Sequence, residues 1–308
     1  WEFHKVQHST QLFAFYLIFD SIAARLKVEH VEHLVKLCVN PNEINEPWIN
    51  FMAKLGATIG KRNDSKSSFI LIRNALIKIA FPQESKPATS QEQGENDKQT
   101  LVNLAQNALS QISQYYLTSE ELHNLCEEFK QKCGDSILFF KLMQTAIVGV
   151  PFNNEEYCND LLSKAVQYLC KSKEDHEIIY GFIFNLCFIN KIKIPEELLP
   201  DLFTNNDAEF FKFAVSCVTG DLVSTEFVEN YILEANFDLT NDFYELVKNF
   251  IYKLNDFQTV LTKLPIVGEY ILWKLATTNS NQRTNFSNLL SWLYTMNYGV
   301  HLTDKDVI

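Results

Sequence analysis

The chain predicts an all-α fold of packed helix pairs, and three observations carry that prediction. Apolar residues recur at the three- and four-residue spacing of an amphipathic helix, as in Leu101, Leu104, Ala105, Ala108, Leu109 and Ile112. No stretch sustains the period-2 alternation of a strand, and no Asn-Gly or Asp-Gly pair offers a hairpin turn. Turn formers are scarce, with 9 Gly and 8 Pro in 308 residues, so the connections are short.

The stretch around which the rest is organised is 178–189, reading IIYGFIFNLCFI. Almost every position is apolar, which leaves no face for water and predicts an inner helix covered on all sides. It is too short to span a bilayer, which takes about 20 residues. Asn185 at its centre would also be costly in lipid.

The remaining elements follow in order. Ser9 and Thr10 can cap a first helix to about residue 27, with Leu12, Phe13, Tyr16, Leu17 and Ile22 on its apolar side. A second helix over 28–39 ends at Asn40-Pro41-Asn42. Residues 48–60 and 67–81 read as a pair joined by the polar turn 61–66. Residues 83–98 hold one apolar residue, Ala88, and read as a flexible acidic and polar insertion. That insertion divides N-terminal helical repeats (1–82) from a main helical-repeat region (99–308). Helices resume over 99–117, and Thr118 through Glu121 form a cap followed by acids. Further helices are predicted over 136–148, 154–171, 175–190, 207–218, 224–235, 240–254, 265–277 and 282–298. This gives about 40 residues per helix pair, the period of large helical repeats.

The net charge of −11 is uneven: +3 over residues 1–82, −2 over 83–98 and −12 over 99–308. An acidic main region repels phosphate backbones and anionic lipid and favours a basic peptide or helix as partner. Nucleic acid and membrane are therefore not the expected partners. The seven cysteines (38, 126, 133, 158, 170, 187 and 217) include no CxxC pair and sit mostly in apolar helical patterns. They read as free buried thiols in a reducing compartment, cytoplasmic or nuclear. The sequons at Asn63 and Asn285 are discounted as chance matches. The apolar run 12–19 is cut short by Asp20, so it does not make a signal peptide. Trp1 in place of Met reads as the start of a fragment.

Phe184-Asn185-Leu186-Cys187 followed by Asn190 resembles the innermost helix of an armadillo repeat. Arg73-Asn74-Ala75-Leu76 and Ser287-Asn288-Leu289-Leu290 are similar, and Leu34-Val35-Lys36-Leu37 resembles the preceding helix. The resemblance to the armadillo/HEAT-like superfamily implies a right-handed α-solenoid of stacked helix pairs. In peptide-binding members the corresponding Asn side chains hold the backbone of an extended partner. That implies partner-binding roles for Asn74, Asn185 and Asn288.

Catalytic patterns are sparse. His30 and His33 lie three apart beside Glu29, Glu32 and Cys38, but the order is not HExxH, and a solvated helix face is the simpler reading. His4 and His8 read the same way. His176, between Asp175 and Glu177 at a helix start, reads as incidental. No phosphate-cradling GxxxxGK[ST] loop occurs, and LGATIG at 55–60 lacks the strand a dinucleotide fingerprint needs. No metal or cofactor is called for. The one basic cluster is Lys54, Lys61, Arg62, Lys66 and Arg73, which reads as a solvated turn or, alternatively, as an RNA-binding patch. The expectation is a non-enzymatic protein-interaction scaffold. An RNA-binding helical module is the rival. An enzyme would require a pocket where a Cys or His meets an acid.

Overall fold

A computed structural model describes residues 16, 18–19, 21–41, 43–82, 92–172, 175–202 and 208–227. Among these, all regular structure is helical and no strand occurs. In chain order the helices are α1 (Val28–Cys38), α2 (Glu46–Gly60), α3 (Lys66–Ala80), α4 (Glu92–Ile112), α5 (Ser119–Cys133) and α6 (Ile137–Ile147). They continue with α7 (Glu155–Lys171), α8 (His176–Asn190), a 3-10 turn (Glu196–Leu198) leading into α9 (Leu199–Leu202), and α10 (Ala208–Thr219). The helices expected over 240–254, 265–277 and 282–298 lie outside the described residues.

Capping chemistry sets most of the boundaries. The Asn45 side chain accepts the Trp48 amide at 3.0 Å, with Pro47 in the first turn of α2. Thr118 and Glu121 form a complete capping box on α5: the Glu121 amide donates to Thr118 Oγ1, and the Thr118 amide donates to Glu121 Oε2 at 2.9 Å. Ser136 and Asn154 cap α6 and α7 with a single bond each, their side chains accepting the Phe139 and Tyr157 amides. Asp175 sits at the N-cap of α8 at φ +62° without a side-chain cap. The His176 Nε2 lies 3.1 Å from the carbonyl of Ser172, just past α7.

Helix α4 starts at Glu92, inside the stretch expected to be flexible, and ends at Ile112. Low apolar content argues against burial but not against helix, since Glu, Gln and Lys are good helix formers. Beyond that end, Tyr116 sits at φ +52°. Its hydroxyl donates to the Ile59 carbonyl at 3.2 Å and accepts the Ser65 amide at 3.3 Å, tying the chain after α4 to the α2–α3 turn.

The chain forms two compact units, residues Trp1–Asn159 and Asp160–Ile308. In the first, neighbours in sequence pack together (α2 on α3, α3 on α4, α5 on α6), and so do next-but-one helices (α1 on α3, α2 on α4, α4 on α6). Helices α3 and α5 also meet, where Phe81 lies 6.1 Å from Phe129 and the Lys132 ammonium stands 5.7 Å from the Phe81 ring. The core is aromatic: Phe19, Trp48, Phe69, Phe129, Phe139 and Phe140 are fully buried. Each such side chain contributes roughly 1.5–3 kcal/mol of burial. Trp48 also spends its polar edge, donating from Nε1 to the Cys38 carbonyl at 2.8 Å and so closing the C-terminus of α1.

In the second unit, α8 packs on α10. Tyr180 stacks on Phe213 at 4.7 Å and meets Phe210 edge-on at 6.1 Å. The Ile194 amide donates to the Leu222 carbonyl at 3.0 Å, joining the chain after α8 to the chain after α10.

Candidate functional site

Helix α8 was expected to be covered on every side, and it is not. Ile179, Tyr180, Phe182, Ile183, Leu186 and Cys187 are buried, but Phe188 is 49% exposed. Gly181, Phe184 and Asn185 are half-buried. The reason is geometric: a helix has more circumference than one packed layer covers, and sequence composition does not say which side is left over. Phe184 and Phe188 stand one turn apart and stack at 5.3 Å with only 13° between their planes. Gly220, just past α10, comes up against Phe188, and a Cβ there would lie 3.2 Å from Phe188 Cδ2. The helix closes at Lys191, whose φ of +56° turns the chain, while the Ile192 amide bonds back to the Cys187 carbonyl at 3.0 Å. Lys193 and Asp221 beside it are 3.8 Å apart and almost fully exposed, so the pair holds little.

The residues nominated for partner binding fall in different parts of the chain. Asn74 is exposed on α3 in the first unit. Asn185 is half-buried on α8 in the second and is not without a partner. Asn288 lies outside the described residues. Asn190 folds back on its own helix, donating from Nδ2 to the Leu186 carbonyl at 2.7 Å. Phe188 is the residue that sequence reasoning missed, because a phenylalanine inside an apolar run reads as core.

The basic cluster does not form one free patch. Arg62 pairs with Asp64 through two hydrogen bonds of 2.9 and 3.0 Å, and its Nη1 donates to the Ala23 carbonyl at 2.7 Å. That pairing holds the Asp64 carboxyl down at about 2. Lys66 meets Glu121 at 2.7 Å, which lowers the pKa of Glu121. Arg73 leans over the Phe69 ring at 5.9 Å, with Nε and Nη1 buried, and burial pulls its pKa down against the attraction of Glu121 and Glu128. Lys54 and Lys61 stay exposed.

Among the described residues, the closest approach to an acid–thiol–imidazole constellation joins α5 to α7. The Tyr157 hydroxyl donates to Glu127 Oε1 at 2.7 Å, and the His123 ring lies 4.4 Å from the Tyr157 ring. Burial keeps the phenol protonated and pushes the Cys126 thiol up to about 12. A thiol that stays protonated at neutral pH is a poor nucleophile, so this cluster reads as packing. His30 and His33 are exposed on α1. Among the described residues no group of three or more His, Cys, Asp and Glu is arranged to hold a metal, and no helix is long and apolar enough to cross a membrane. In comparisons with protein-family models, curated proteins and solved structures, nothing matches the chain.

Proposed function

We propose that the chain is a non-enzymatic protein-interaction scaffold, a right-handed α-solenoid of stacked helix pairs in the armadillo/HEAT manner. It takes a basic peptide or helix on the open side of α8. The observation that carries this reading is the half-exposed Phe188 stacked on Phe184, an aromatic anchor left facing outward beside the buried face of its helix. The next-but-one packing in the first unit supports the solenoid, since stacked repeats bring alternate helices together. The −12 charge of residues 99–308 supports a basic partner, and the acidic environment steers its approach.

The test is affinity capture with the wild-type chain and with Phe188→Asp, at low and high salt. The wild type captures basic partners that are lost in the variant and weakened by salt. Partners that are retained by Phe188→Asp, or that are acidic, would sink the reading. The RNA alternative draws less support, because Arg62 and Lys66 are already paired with carboxylates. Binding of random single-stranded RNA by the wild type at low salt, lost when Lys54 and Lys61 are neutralised, would restore it.

A further inference from the structure

We draw no further inference here: the strongest candidate, the guanidinium of Arg73 buried in the seam between α3 and α5, faces Glu121 and Glu128 of that same seam, and nothing in the structure shows a ligand reaching it.

Discussion

Arg62 commits its guanidinium to several partners at once, and each bond depends on the fork geometry that only arginine has. Lys at this position keeps the charge but cannot grip Asp64 with two parallel bonds while also reaching Ala23. Arg62→Lys is therefore expected to lose roughly 1–2 kcal/mol of unfolding free energy in urea titration, and Arg62→Ala somewhat more. A lysine variant as stable as the wild type would show that the fork carries no weight. Gly149 makes a different residue-scale demand. A Cβ there would overlap the carbonyl oxygen of Gln114, part of the backbone that cannot swing aside. Gly149→Ala is expected to cost about 1–3 kcal/mol, read as a drop in thermal midpoint. Gly60 approaches the Tyr115 ring almost as closely, but a side chain has more freedom to give way than a backbone carbonyl.

At the scale of the helix, Glu121 serves two interfaces. One carboxylate oxygen completes the capping box of α5, and the other meets Lys66 of α3. The two roles separate by substitution. Glu121→Gln keeps an acceptor for the Thr118 amide but loses the ion pair, and the pair is partly exposed and worth about 0–1 kcal/mol. Thr118→Ala removes the reciprocal cap and is expected to cost about 0.5–2 kcal/mol, so it should be the more damaging change in chemical denaturation. Equal losses would mean that the contact with α3, not the cap, holds the start of α5. The cysteines add a second helix-scale test. Cys38, Cys126, Cys158, Cys187 and Cys217 are buried, Cys133 is half-buried, and Cys170 is exposed on α7. Burial pushes Cys38 up to about 12 and Cys158 up to about 11, which keeps them protonated as well as covered. Alkylation of the native protein at pH 8, followed by peptide mass mapping, should mark Cys170 first among these. Early labelling of Cys38 would mean that the contact between α1 and Trp48 opens readily.

For the molecule as a whole, acid stability follows from the lowered carboxyls. Asp64 is held at about 2 by Arg62 and Ser65, and Glu121 is lowered by Lys66 and its cap. Unfolded, both return to ordinary values of about 4. A carboxyl whose folded pKa is depressed stabilises the fold above its unfolded value, and that stabilisation fades as pH falls through the folded one. The thermal midpoint should therefore drop between about pH 4 and pH 2. The gap between wild type and an Asp64→Asn, Glu121→Gln double variant should close over the same window. A gap that stays constant would show that neither carboxyl is tied to folding.

Much of this architecture was legible in the residues alone. Helical periodicity, the cap at Thr118 and the shortage of turn formers are local properties, and local properties survive translation into structure. The starts of α5, α6 and α7 were legible from such properties. The start of α4 does not, because polarity along 92–98 reports on burial and says little about backbone conformation. The chain could not reveal by itself which groups meet across helices. Arg62 and Lys66 read as free cations until Asp64 folds back on Arg62 and α5 brings Glu121 to Lys66. Phe188 reads as core until the packing around α8 stops short of it. Those outcomes depend on side chains far apart in sequence sharing one small volume, and only the tertiary structure decides that.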